Sequence, residues 1–128
     1  MEISVGMEGT VSTIAEREDT ALEVGSGSLL VYATPCMVAL MEGAACEAIA
    51  NALPEEKTSV GIELSVKHVS ATPVGMEVTA TATVTAVEGS IVSFHITASD
   101  ESGLIGEGEH KRAVVTTQRF LDKTYAKL

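Results

Sequence analysis

The sequence predicts an α+β domain in which an antiparallel sheet curls around one long, buried helix. Residues 34–53 form an apolar run of good helix formers, and most of residues 60–116 alternate with the two-residue period of strands. Short turn signals separate these strands, as in consecutive hairpins. A chain of 128 residues without an internal repeat or a linker predicts one domain that spans residues 1–128.

The helix has clear signals at both ends. Thr34 is the expected N-cap and Pro35 the expected first helical residue, because proline is tolerated where the helix needs no backbone N–H donor. Pro54 ends the pattern, so the helix is expected to run to Leu53. Its side chains are apolar around most of the circumference, which indicates a helix enclosed by other structure.

The strands are predicted at residues 8–14, 60–68, 77–87, 90–99 and 104–116, with a short helix within residues 117–128. In the second strand, one face carries four aliphatic side chains and a histidine, namely Val60, Ile62, Leu64, Val66 and His68. A sheet of this size wrapped on one helix leaves an edge strand exposed. Pairing of two such edges across a two-fold axis would cover them, which predicts a homodimer.

The charged residues argue against nucleic acid and against a membrane as partners. The net charge is −10 and the chain has no basic stripe, so nucleic acid is not expected to bind. The same charge repels polyphosphate ligands, which would need a local cluster of Lys or Arg. The apolar stretch 37–53 contains Glu42, Glu47 and Asn51, so it is not expected to span a membrane.

The cysteines and the N-terminus favour a reduced compartment. Cys36 and Cys46 are ten residues apart on the predicted helix, or about 15 Å, which is too far for a disulfide. The first residues have neither the basic start nor the long apolar run of a signal peptide. We therefore expect the protein to be cytoplasmic.

Glu42 and His68 stand on otherwise apolar surfaces. The helical neighbours of Glu42, one turn away on either side, are apolar or small, and an unpaired carboxylate is costly to bury there. His68 ends the apolar face of its strand, where a histidine would suit acid–base chemistry at neutral pH. The alternatives are structural, since Glu42 can face solvent or make a hydrogen bond of the fold, and His68 can be a satisfied core histidine.

The start of the helix supplies two further candidates. Capping alone explains Thr34, yet its hydroxyl lies beside helix N–H groups that could stabilise an oxyanion. Cys36 is an alternative nucleophile, because a helix N-terminus can lower the pKa of a thiol. Thr34 and Glu42 are eight residues apart, or about 12 Å along a regular helix. Either Thr34 sits off the helix, or the two residues meet the substrate at different points, or one comes from a second subunit.

Three stretches of the chain resemble the fluoroacetyl-CoA thioesterase family of the hotdog superfamily. The first, Ala33–Glu42, is similar to the family's helix start, which has Ala-Thr, two variable residues and an apolar run ending in Met-Glu. The second, Val66–Gly75, follows a pattern of His, then Ala-Thr-Pro, then Gly, and the third is Gly106–Val114. The resemblance extends from about Glu16 to Phe120, and the spacing between the motifs also matches.

The resemblance implies a hotdog fold, a homodimer with its active site at the dimer interface, and hydrolysis of a small acyl-CoA thioester. The residues that it places in the site are the catalytic Thr34, Glu42 and His68 and, beside the substrate, Gly61. Cys36, where the chain departs from the family, and Arg112, in the third motif, are further candidates for contact with the substrate. The thioester carbonyl is expected near backbone N–H groups of the helix start or of Gly61. Arg112, with its neighbour Lys111, is expected to contact a phosphate of CoA. CoA belongs to the substrate, so no cofactor is expected, and the three histidines lack the spacing of metal ligands.

Departures from the family concern the acyl pocket. Cys36 stands where the fluoroacetate enzyme has a bulky aromatic residue, and Gly43 and Ala44 follow Glu42 where that enzyme has larger residues. These differences predict a different acyl pocket. The attacking group is left open between Thr34, Glu42 and water.

Two other functions also remain open from the sequence. One is a non-catalytic acyl-CoA binding module on the same fold. The other is a dehydratase of hydroxyacyl thioesters, although the sequence does not reveal the His–Asp or His–Glu pair usual in those enzymes.

Overall fold

The computed structural model describes residues 2–128 and contains a five-stranded antiparallel sheet packed against one long helix. The strands are β1 (Glu8–Ile14), β2 (Lys57–His68), β3 (Glu77–Glu88), β4 (Ile91–Asp100) and β5 (Gly103–Thr116). The helices are α1 (Ala21–Val24), the long α2 (Thr34–Ile49) and α3 (Thr117–Tyr125), with 3₁₀ turns at Arg17–Asp19 and Ala50–Ala52. The strand order in the sheet is β1-β3-β4-β5-β2, so β1 and β2 form its edges. The predicted α+β architecture is confirmed.

The core lies between the inner face of the sheet and one face of α2. Alternate residues of β3 and β4 are buried, as their two-residue period predicted, namely Val78, Ala80, Ala82, Val84, Val92, Phe94, Ile96 and Ala98. The residues of α2 that are buried in the same core are Met37, Met41, Ala44, Ala45 and Ile49. The opposite face of the sheet is polar, and hydroxyl pairs such as Ser12 and Thr79, 2.8 Å apart, cross from strand to strand there.

Helix α2 differs from its prediction at both ends. Its N-cap is Ala33 rather than Thr34, so Thr34 is the first helical residue and its hydroxyl makes no capping bond. The regular helix ends at Ile49, and a 3₁₀ turn replaces its predicted last residues. The sheet covers only one face of α2, so the expected enclosure is partial and residues such as Ala39 and Cys46 are exposed.

No helix within residues 2–128 is long and apolar enough to cross a membrane.

Strand β2 contains a bulge that the sequence pattern did not predict. The register of β2 on β5 shifts between Gly61 and Glu63, so Ile62 is the extra residue. Before the bulge the two faces are exchanged, and Gly61 lies opposite the buried Arg112 whereas Ile62 is 52% exposed. The predicted common face was therefore wrong for Ile62, and for Val60 before it. Beyond the bulge, the predicted inner positions hold for Leu64, Val66 and His68, which lie opposite His110, Gly108 and Gly106.

Strand β1 crosses α2 at a glycine because no side chain fits at the crossing. A Cβ atom on Gly9 would collide with the backbone of Ala44 and Ala48. By contrast, a Cβ atom on Gly43 of α2 would have only Val11 nearby, at 3.9 Å. The packing of β1 on α2 therefore requires a glycine at position 9 but not at position 43.

Replacement of each glycine by alanine tests this description of the helix–strand contact. We expect Gly9→Ala to lower the free energy of unfolding by about 1–3 kcal/mol, because the methyl group must displace helix backbone. We expect Gly43→Ala to raise it by roughly 0.5–1 kcal/mol, because alanine favours the helix and has room. Chemical denaturation measures both, and equal effects of the two substitutions would contradict the packing described.

Candidate active site

Thr34 and His68 form a hydrogen-bonded pair at one end of β2. Thr34 begins α2, His68 ends β2, and 2.7 Å separates the Thr34 Oγ1 atom from the His68 Nδ1 atom. Gly106 lies opposite His68 on β5, and a Cβ atom there would lie 2.6 Å from the sulfur of Met37. The missing side chain thus lets α2 pack closely beside the pair.

The second ring nitrogen of His68 is available to a ligand. Burial lowers the pKa of His68, against a smaller rise from the backbone of Ser70, and so favours the neutral imidazole. Its Nε2 atom is buried and has no hydrogen-bond partner in the part of the chain that is described. A buried polar atom without a partner is costly, which makes it a place where a ligand gains binding energy. The cavity beside it, about 270 Å³, is lined by residues that include Tyr32, Thr34 and Ser70.

Glu42 belongs to a second cluster, built on the bulged part of β2. Its Oε2 atom lies 3.0 Å from Nη1 of Arg112 and 3.7 Å from Nε2 of His110. The carboxylate sits over Gly61, where any Cβ atom would collide with it. The Glu42 side chain is 40% exposed, whereas that of Arg112 is only 8% exposed. Arg112 therefore pairs with the Glu42 carboxylate on its buried side. On its exposed side the carboxylate faces a cavity of about 270 Å³.

Arg112 is itself held in place by its neighbours. Its Nε atom donates to the Ser59 hydroxyl at 2.8 Å and its Nη2 atom to the Ser59 carbonyl at 3.1 Å. The Nδ1 atom of His110 lies 2.8 Å from the carbonyl oxygen of Glu63, which can only accept, so Nδ1 carries the proton of the neutral ring. The Nε2 atom then accepts from Arg112 at 3.1 Å. Burial also lowers the pKa of His110, which favours this neutral form.

Sequence reasoning missed His110 and Ser59 as parts of this cluster. His110 lies two residues from Arg112 on β5, so strand periodicity places both on one face. Ser59 could not be found in this way because only the bulge turns it inward. The approach of His110 to within 3.7 Å of Glu42 was also missed, as was a pair of His95 with Glu109, 2.9 Å apart, on the outer face of the sheet.

The structure brings Thr34 and His68 together but leaves Glu42 apart from them. Thr34 and Glu42 are about 12 Å apart along α2, and the two clusters open into separate cavities. One thioester carbonyl therefore cannot touch both clusters of a single chain.

Cys36 lies in neither cluster. It lines a third cavity, of about 330 Å³, together with Tyr32 and Leu40. Burial raises the pKa of the Cys36 thiol, and the carboxylate of Asp19 raises it further. The alternative of a Cys36 thiolate nucleophile, which needs a lowered pKa, does not fit this site. Ala44, one of the small residues expected at the acyl pocket, is instead buried in the core.

The expected CoA phosphate contact does not fit Arg112 and Lys111. Arg112 is buried, and its donors are engaged by Ser59, Glu42 and His110. Lys111 is its neighbour on β5 and so points to the opposite face of the sheet.

Within residues 2–128, no group of three or more His, Cys, Asp or Glu side chains could hold a metal ion.

The fold and the two clusters define a thioesterase of the hotdog class. The chain belongs to the fluoroacetyl-CoA-specific thioesterase family, whose family model matches residues 15–118. It is 41% identical over 97 residues to the fluoroacetyl-CoA thioesterase of Streptantibioticus cattleyicolor, covering 76% of this chain and 70% of that protein.

Solved structures agree with this assignment. A structure of the fluoroacetyl-CoA thioesterase FlK superposes with a TM-score of 0.93 at 33% identity, over 100% of this chain and 99% of the other. A thioesterase superfamily member from Thermus thermophilus superposes with a TM-score of 0.85 at 27% identity, over 99% and 98% of the two chains. These matches confirm the predicted fold, family and thioester hydrolase class.

The protonation states of the two buried histidines can be measured directly. We expect His68 and His110 both to titrate below pH 6.5, because burial disfavours the imidazolium form in each. The neutral His110 ring should carry its proton on Nδ1, facing the Glu63 carbonyl. Nitrogen NMR of labelled imidazoles during a pH titration reports both quantities, with His68→Gln and His110→Gln samples for assignment. A His110 proton on Nε2 would contradict the hydrogen-bond network.

Proposed function

We propose that this protein hydrolyses the thioester of a small acyl-CoA to the free acid and CoA. The observation that carries the proposal is the Glu42 carboxylate, paired with Arg112 and exposed above Gly61 in a member of a thioesterase family. A relative that shares the family is named for fluoroacetyl-CoA.

The bulge in β2 is the better candidate for binding the thioester carbonyl. At the helix start, Pro35 has no N–H, and the N–H groups of Cys36 and Met37 donate to the Ala33 carbonyl. A bulge instead leaves its extra residue outside the strand ladder, so the backbone around Gly61 and Ile62 can donate to an oxyanion. The bare Gly61 also allows the substrate to approach the Glu42 carboxylate.

In the proposed reaction Glu42 is the general base. It accepts a proton from a water molecule, and the resulting hydroxide attacks the carbonyl carbon beside it. The Thr34 hydroxyl donates to Nδ1 of His68, which leaves the proton of the neutral ring on Nε2. The Nε2–H of His68 donates a hydrogen bond to the sulfur of CoA, and protonated Glu42 returns the proton of the water to that sulfur as the carbon–sulfur bond breaks. Direct attack by Glu42 would instead form an anhydride, which water must then cleave.

We infer that two protomers complete one reaction centre. β2 is an edge strand, and its exposed side chains include the apolar Ile62. Antiparallel pairing of two β2 strands about a two-fold axis between Leu64 and Ser65 would place His68 of one protomer near Gly61 of the other. Such a dimer would join the Thr34–His68 pair to a Glu42 carboxylate, which one chain alone leaves apart.

The dehydratase alternative has little support in this geometry. The imidazole of His110 is buried and engaged by Glu63 and Arg112, so it is not free to act on a substrate beside Glu42.

We also propose that the protein works in the cytoplasm. Cys36 and Cys46 are both free thiols on α2 and about 15 Å apart along it. This arrangement agrees with a reducing environment.

Substitution of Glu42 tests the proposed activity against a matched glutamate on the same helix. We expect Glu42→Gln to reduce kcat by about 10²–10⁴-fold, because the amide cannot accept the proton of the attacking water. Glu47→Gln, at an exposed position of α2, should leave hydrolysis unchanged. Release of free thiol from short, medium and aromatic acyl-CoAs measures both variants.

Two outcomes would contradict the proposal. Wild-type activity in the Glu42→Gln variant would remove Glu42 from the reaction. Tight binding of acyl-CoA without release of thiol in the wild type would favour a non-catalytic binding module.

A further inference from the structure

We infer that a basic cavity between β2 and α3 binds the nucleotide end of CoA, through its phosphate groups. The cavity, about 300 Å³, is lined by the cationic Lys57, Arg119 and Lys123 and by Phe120, Val114, Val115 and Thr116. The inference rests on the proposed function, because it assigns a site to the part of acyl-CoA that lies far from the thioester.

The positive charge of this cavity is unusual for the chain. The whole sequence has only 8 Lys and Arg residues against 18 acidic ones, and three of the eight line this one cavity. No carboxylate is among the described residues that line it. The salt bridges in the described part of the chain involve Arg17, His95, His110 and Arg112, so the three cations of the cavity take part in none of them.

The helix dipole explains Lys123, which lies in the last turn of α3, but not its grouping with the other two cations. Arg119 and Lys123 are four residues apart on α3, where two like charges destabilise a helix. Asp122, the nearest acidic residue in sequence, is engaged elsewhere by the Gln118 side chain at 2.8 Å. The start of α3 is fixed to the segment before β2, since the Thr117 N–H donates to the Glu56 carbonyl at 3.0 Å. A bound anion would turn the repulsion among the cations into attraction.

The chemistry of the cavity fits an adenosine phosphate. A phosphomonoester carries about −2 charge at neutral pH, and CoA adds a pyrophosphate to it. Arg119 can hold a phosphate with two parallel N–H donors, and the lysines add charge. Phe120, 39% exposed beside them, offers an aromatic face to a purine ring.

The cavity is also placed at a suitable distance from the reaction centre. Lys57 begins β2 four residues before Gly61, or about 13 Å along the strand. Val114 lines the cavity and follows Arg112 by two residues on β5. A pantetheine arm can cover this span, so the nucleotide would bind here while the thioester lies over Gly61.

A charge-matched pair of double variants tests the assignment. We expect Arg119→Gln/Lys123→Gln to raise KM for the acyl-CoA about tenfold with kcat unchanged, because the lost contacts bind ground state and transition state alike. The same variant should show an unchanged KM for that acyl group carried on pantetheine, which has no phosphate. Arg17→Gln/Lys127→Gln removes the same charges outside the cavity and should change neither value.

Calorimetry with adenosine 3′,5′-bisphosphate separates this inference from the proposed hydrolysis. The wild type should bind the bisphosphate, and Arg119→Gln/Lys123→Gln should bind it about tenfold more weakly. If the wild type hydrolyses acyl-CoA but the cavity variant keeps its KM and its bisphosphate affinity, the inference is overturned and the proposed function stands. If the wild type hydrolyses nothing but binds the bisphosphate through these residues, the site stands and the proposed hydrolysis fails.

Discussion

The site depends on one irregularity of the sheet, the bulge at Ile62 of β2. Without it, Ile62 would face α2 and Gly61 would face outward. With it, Gly61 faces the helix opposite Arg112 and leaves space for the Glu42 carboxylate. A buried arginine needs a partner, and Glu42 provides it at 3.0 Å. The bulge therefore gives the buried arginine a charged partner. It also places the Glu42 carboxylate beside backbone that lies outside the regular strand pairing.

Much of the fold could be predicted from the sequence because its patterns are regular. The alternation in β3 and β4 identified the buried residues correctly, and the apolar run after Pro35 identified α2. The bulge could not be predicted, since Val60 and Ile62 continue the apolar alternation and only pairing with β5 reveals the extra residue. The N-cap was misplaced by one residue because Thr34 satisfies the local signals for a cap while its hydroxyl instead contacts His68.

The candidate site could be predicted in part. Glu42 and His68 stood out because each was a polar residue on an apolar face, and the structure gives each a defined chemical setting. The support of Arg112 by Ser59 and His110 is a property of tertiary contacts between β2 and β5, so the sequence could not show it. The proposed dimer would join the Thr34–His68 pair of one protomer to the Glu42 cluster of the other, since the edge strand β2 holds residues of both clusters.

The most direct test of this account is complementation between two inactive variants. Glu42→Gln and His68→Gln proteins, each inactive alone, would be mixed, allowed to exchange subunits and assayed for thiol release, with native mass spectrometry to count heterodimers. Because a heterodimer retains one centre with both native residues, the account predicts recovery of about one quarter of wild-type activity after random exchange. A mixture that forms heterodimers but stays as inactive as its parents would contradict a centre shared between protomers.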